Sequence, residues 1–332
     1  MRFLVSAAAC ALALAGPANA AGFTDPFSSY IAFGDSLTDD GKFGMQAPPS
    51  FGGRFSNGIT YAEHIAQDFA DDGKFTLNLA LGGATAELDN ETAYPDPGAV
   101  AGISTFQAQI GTFAATAGLG APIGDNPLFT VLFGANDLLQ DIGESQTIGA
   151  DAATAVTDGI LAINALNPTD YTSFAVANLP DLSQTPLFSG TLAAPLAQAT
   201  SDQFNQTLAA NIALLRNAGL EIFEVDLAGF FQSVLDNPGD LGIVNTTDAC
   251  TPSLQIIIIV GNCSFDLQQS AFDLALADQF LFVDPVHPNR VAQEAFAQVV
   301  RDSVSAVPVP AGLPLLLAGV AAIGLLRVRS KA

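Results

Sequence analysis

The 332-residue chain sets 33 Asp and Glu against 10 Lys and Arg, a formal net charge of −23, with two His and three Cys. At 49% hydrophobic it is too apolar for a disordered polyelectrolyte, and so acidic a chain repels nucleic-acid phosphates and anionic lipid. Two histidines cannot build a three-His zinc site, so an imidazole base has to be His64 or His287.

In chain order, residues 1–20 pair one Arg with an apolar run that stops at Gly16-Pro17 and ends in Ala18-Asn19-Ala20. That pattern is a secretory signal peptide cleaved after Ala20, and Cys10 comes too early for a lipoprotein signal. Beyond it, short and nearly continuous apolar runs alternate with helical spacing. Residues 30–33 read as a strand, 61–70 as a helix, 75–81 as a strand and 103–117 as a helix. A strand at 128–133 precedes a helix at 150–165, and a strand at 173–177 precedes a helix at 196–217. A strand at 222–225 and a helix at 290–304 complete the pattern. Such alternation predicts parallel strands joined by right-handed crossovers, in a sheet covered by helices on both faces. Ligands in such folds bind outside the carboxyl ends of the strands.

The polar motifs fall at those ends. Gly34-Asp35-Ser36-Leu37-Thr38-Asp39 leaves the first strand, where a sharp turn can present the Ser36 hydroxyl beside the amino terminus of a following helix. An ordinary turn and helix cap would use the same residues. Gly82-Gly83 follows the second strand and Gly134-Ala135-Asn136-Asp137 the third; both supply N–H donors, although singly they are turn signals. Near the far end, Asp284 and His287 stand three apart in the loop Asp284-Pro285-Val286-His287-Pro288. There the carboxylate can hold one ring nitrogen while the other faces a serine. His64 lies within a helical pattern and is the weaker base.

Together these blocks resemble the GDSL-type (SGNH) serine hydrolases over residues 28–300. The resemblance implies a flavodoxin-like three-layer α/β/α sandwich with a central parallel sheet. It also implies a secreted esterase or lipase in which Ser36 attacks, His287 acts as base and Asp284 orients it. The Ser36 and Gly83 N–H groups and the Asn136 amide would form the oxyanion hole, and the chemistry needs no cofactor or metal. Phe55-Ser56-Asn57-Gly58 also resembles the family and is expected to position the first helix. Thr38 and Val286 depart from the family's usual Ser and Gly without removing a catalytic atom. Loops 42–57 and 86–102 are expected to frame the acyl pocket. The Asp89-Asn90-Glu91 stretch and Asp96 read as solvated loop residues rather than a Ca²⁺ site. The substrate would be a lipid, short-chain or O-acetyl ester, the last including acylated glycans. The rival reading is a catalytically silent surface or matrix protein on the same fold.

Cys250 and Cys263, with twelve residues between them and flanking the apolar run 255–260, read as one disulfide bracing the base loop in an oxidising compartment. The chain closes with Val307-Pro308-Val309-Pro310-Ala311, an uncharged stretch to Leu326, and Arg327, Arg329 and Lys331. This resembles the PEP-CTERM sorting signals of bacterial surface proteins, with Val309 where Leu is usual. The resemblance implies an exosortase-type processing partner and a destination at the envelope, surface or extracellular matrix; a plain membrane anchor is the simpler reading. The expected organisation is a signal at 1–20, a hydrolase domain at 21–306 and a sorting signal or anchor at 307–332. The middle part holds all 33 acids and six cations, a net −27.

Overall fold

The computed structural model describes residues 22–44, 50–87, 104–251, 265–266, 271–272 and 274–305. The expected signal peptide, the carboxy-terminal signal, Cys263 and the acids at 89–96 lie outside these residues.

Five strands, β1 (Ser29–Gly34), β2 (Phe75–Asn78), β3 (Leu128–Leu132), β4 (Ser173–Ala177) and β5 (Glu221–Val225), form one parallel sheet in the order β2-β1-β3-β4-β5. Helices α1 (Tyr61–Asp71), α2 (Phe106–Gly118), α3 (Ala135–Asp141), α4 (Ile148–Leu166), α5 (Ala194–Asn217) and α6 (Leu227–Asp236) follow in turn. The remainder comprises β6 (Asn245–Ala249), β7 (Phe265–Asp266), β8 (Ala271–Phe272), α7 (Leu274–Ala277), β9 (Phe280–Phe282) and α8 (Arg290–Ser305).

Alternate residues of β1, β3, β4 and β5 supply the two cores, while the half-buried β2 packs Phe75 and Leu77 against one of them. Ile31 and Phe33 of β1 pack with Phe106, Phe113 and Ile160, from α2 and α4. Tyr30 and Ala32 pack with Phe69, Phe231 and Phe296, from α1, α6 and α8. A strand buried on both faces is apolar at nearly every position, which is why the runs read as nearly continuous. The strand order is that of flavodoxin-like folds, whose chain reverses direction across the sheet between β1 and β3 and opens a crevice at their carboxyl ends. The Ser36 and Asn136 motifs leave those two strands.

Three expectations need correction. The second strand ends at Asn78 rather than residue 81, although Leu79 and Leu81 still donate to the Ala32 and Gly34 carbonyls (2.8 and 3.2 Å). No helix amino terminus follows Ser36 among the described residues, since residues 36–38 form a turn closed by Thr38 and Asp39 N–H bonds to the Asp35 carbonyl (both 3.0 Å). The Asp39 carboxylate instead captures the N–H groups of Gly41, Lys42 and Phe43, an alternative to helical bonding. Three short helices, α3, α6 and α7, were not expected. Asp226 starts α6 by accepting from Gly229 N–H (2.9 Å) one residue after β5, so no loop announces it.

Candidate active site

The site is built from the ends of β1 and β3 and the loop after β9. At the end of β1, Gly34 donates its N–H to the Gln109 side chain of α2 (3.0 Å) and accepts from it (2.8 Å). A Cβ on Gly34 would overlap Thr38, so the turn closes tightly and delivers Ser36 to the sheet's edge. Ser36 is 7% exposed, with its hydroxyl at the floor of a cleft.

The loop after β9 meets it. Ser36 Oγ lies 2.7 Å from His287 Nε2, and His287 Nδ1 lies 2.7 and 2.8 Å from the two Asp284 oxygens. Asp284 Oδ1 also accepts from the Val286 and His287 N–H groups (3.0 and 2.8 Å), which fixes the carboxylate before the ring is placed. Val283 N–H donates back to the His287 carbonyl (2.8 Å), and Phe55 packs 4.8 Å from the imidazole, centroid to centroid. With Nδ1–H donated to Asp284, Nε2 is left to accept the serine hydroxyl proton. His64 takes no part; it sits on α1, where its carbonyl accepts from Arg301 (3.4 Å).

The Phe55-Ser56-Asn57-Gly58 motif does more than position α1. Ser56 Oγ donates to the Pro288 carbonyl (3.1 Å), Asn57 Oδ1 accepts from Arg290 N–H (2.6 Å), and Asn57 Nδ2 donates to Asp278 (2.9 Å). Arg290 starts α8 and pairs its guanidinium with that same Asp278 (2.6 Å). Asn289 caps the helix by accepting from Ala292 N–H (2.8 Å) and donates to the Phe280 carbonyl (2.7 Å). The loop carrying His287 is thus bolted on both flanks.

Gly83 and Asn136 line the cleft with Ser36. Gly83 has φ +78°, a conformation glycine adopts without strain. Asn136 lies in the first turn of α3 behind Gly134, whose φ of +114° and contact with Phe204 exclude a side chain. Asn136 Nδ2 donates to the Ala84 carbonyl (2.9 Å), tying the β3 end to the β2 end. All five residues singled out by sequence therefore meet at one crevice.

The cleft opens to solvent and its walls are largely apolar. Phe55, from the expected loop 42–57, contributes, whereas residues 88–102 of the other expected wall lie outside the described set. Leu179, Leu182 and Thr185, from the loop after β4, and Phe231 of α6 complete the wall and were not foreseen. Asn178-Leu179-Pro180-Asp181 is itself a strand-end turn, and that signal could have marked them.

Three buried acids surround the site. Burial pushes the Asp35 carboxyl up to about 7, opposed by the Leu37 N–H and by His287. Its Oδ2 has no hydrogen-bond partner. Burial likewise raises Asp137 to about 6, against the pull of the Ala86 and Glu87 N–H groups, and raises Asp39 against that of Gly82 N–H. Among the described residues no group of three or more His, Cys, Asp or Glu is placed to hold a metal.

A family model described as GDSL-like lipase/acylhydrolase matches residues 30–300. The chain is 28% identical over 283 residues to a phosphatidylcholine-sterol acyltransferase of Aeromonas hydrophila, covering 81% of each chain. It is 28% identical to an acetylesterase of Thermothelomyces thermophilus, covering 74% of this chain and 87% of that one. It is 26% identical to the esterase EstA of Pseudomonas aeruginosa over 90% of this chain, but spans only 50% of that protein's length. Among solved structures, a GDSL-like lipase of Parabacteroides merdae superposes with a TM-score of 0.47 at 11% identity, covering 83% of this chain and 94% of the other.

Proposed function

The chain belongs to the GDSL-like lipase/acylhydrolase family, and from that premise we propose that it cleaves carboxylic esters through an acyl-enzyme on Ser36. One observation carries the mechanism: the continuous contact from Ser36 Oγ through His287 to Asp284, at 2.7 Å on both sides of the ring. As the Ser36 oxygen attacks the ester carbonyl, His287 Nε2 takes its proton, and Asp284 stabilises the imidazolium. The imidazolium then protonates the departing alcohol. Water enters, gives its proton to Nε2 and releases the acid. Negative charge on the carbonyl oxygen faces the Ser36 and Gly83 N–H groups and the Asn136 amide, donors worth ~10²–10³ each in rate.

The apolar cleft walls suit the acyl part of a lipid or short-chain ester, and the names of the relatives supply acyltransfer and acetylester cleavage as precedents. An ordered serine–histidine contact speaks against the silent binding protein. The test is turnover of a p-nitrophenyl ester series and an O-acetylated glycan by wild type and Ser36→Ala. Ester cleavage lost in a variant of unchanged melting temperature supports the reading; equal cleavage by both sinks it.

We further propose that the domain of residues 21–306 is exported and held at the envelope or in the surrounding matrix. Residues 1–20 support export, and the Pro motif, apolar stretch and basic tail at 307–332 support exosortase-type processing. Intact tail peptide on mature surface protein would contradict the processing. The Cys250–Cys263 disulfide stays part of this proposal: Cys250 is buried beside Ala277 and Phe280 under the segment leading to the base loop.

A further inference from the structure

Resting on the reading of Gly83 as an oxyanion donor, we propose that the Asp39 and Asp137 carboxylates are positioning residues for the turn that carries it. Residues 82–87 hang between β2 and α2 and are fixed by bonds from both neighbouring strand ends. From the β1 side, Asp39 Oδ2 accepts from Gly82 N–H at 2.8 Å, one residue before Gly83. The same carboxylate accepts from Gly41 (2.9 Å), Lys42 (2.7 Å) and Phe43 (3.2 Å), so the turn is tied to the loop leaving the nucleophile. From the β3 side, Asp137 accepts from Ala86 and Glu87 N–H, both at 2.9 Å, while Asn136 next to it holds the Ala84 carbonyl. Beneath the turn, a Cβ on Gly82 would overlap the Phe55 ring that packs on His287.

Both acids are almost fully buried, at 0% and 1% exposure, and neither touches the cleft. Burying a carboxylate is costly unless several donors meet it, and here the oxygens of each accept from main-chain N–H groups. Oxyanion donors help only if they are in place before charge develops. A carboxylate with two acceptor oxygens can span two strands of chain; an isosteric amide cannot, because its NH₂ opposes one of the N–H groups. The two acids thus set the register of Gly83 against Ser36 from opposite sides.

The test uses the full chain with a p-nitrophenyl ester, a boronic acid that forms a tetrahedral serine adduct, and the variants Asp39→Asn and Asp137→Asn. The expected result is a fall in kcat of about 10- to 100-fold in each, less than the ~10²–10³ for an oxyanion donor removed outright, because the Gly83 N–H is displaced and not deleted. KM should stay within about twofold, and boronate affinity should weaken in proportion to kcat. Variants that retain kcat in an active background overturn the proposal; an inactive wild type would instead overturn the hydrolase reading. Should the variants not fold, amide hydrogen exchange of the wild-type peptide spanning 82–87 decides. Slow exchange at Gly82, Ala86 and Glu87 is required, and rapid exchange there contradicts it.

Discussion

Replacing Asp35 by Asn should change how stability depends on pH. Asp35 is 1% exposed, one of its oxygens accepts from Leu37 N–H at 3.0 Å, and the other has no partner. An unfolded chain ionises this carboxyl near its ordinary value of 3.8, whereas the folded protein holds the proton to about 7. Between those values the native state binds the extra proton, so stability falls as pH rises, and above 7 the loss is complete. At about 1.4 kcal/mol per pH unit, the loss from pH 4 to 8 reaches about 4 kcal/mol. Asn keeps an acceptor for Leu37 and cannot ionise. Asp137 titrates with the same sign in both proteins and so adds a similar slope to each. Urea unfolding at pH 5, 6, 7 and 8 should therefore show Asp35→Asn gaining on wild type steadily, by roughly 3 kcal/mol between pH 5 and 8. Parallel curves for the two proteins would refute the reasoning and mean that Asp35 is ionised and satisfied in the folded state.

Asp284→Asn keeps the size of the side chain but loses the charge that fixes the His287 tautomer; kcat should fall by about 10⁴ with little change in KM. Gln109→Leu leaves the Gly34 N–H buried without its acceptor and should lower unfolding free energy by about 2 kcal/mol, read by urea titration. Asn57→Ala frees the Arg290 N–H and one bond to Asp278, so the His287 loop loosens. Melting should drop by about 2 kcal/mol equivalent, and kcat should fall more than KM rises.

All five strands of the main sheet were legible: β1, β3 and β4 because strands buried on both faces are nearly continuous apolar runs, as in 128–132 and 173–177, and the half-buried β2 and partly exposed β5 from shorter apolar runs beside helical stretches. The site was legible for a related reason: parallel strands deliver their carboxyl-end residues to one crevice, so the Ser36, Gly82-Gly83 and Asn136 motifs could be placed together, and the family resemblance then singled out Gly83. Asp284 and His287 were readable from their spacing of three. What sequence could not show was the use of backbone N–H groups as partners. Asp39 is one acid among 33, and only the folded chain brings Gly82 N–H to it. Ser56 and Asn57 reach the His287 loop across more than 230 residues, a pairing that no local pattern encodes. Phe231 escaped because α6 begins directly at Asp226, with no turn residues to separate it from β5.

The most direct measurement is labelling with a fluorophosphonate followed by peptide mass spectrometry, with Ser36→Ala as control. A single adduct on the peptide containing Ser36, absent from the variant, is the predicted result. Folded wild-type protein that stays unlabelled, or labels equally in Ser36→Ala, would contradict an activated serine at the meeting point of β1 and the His287 loop.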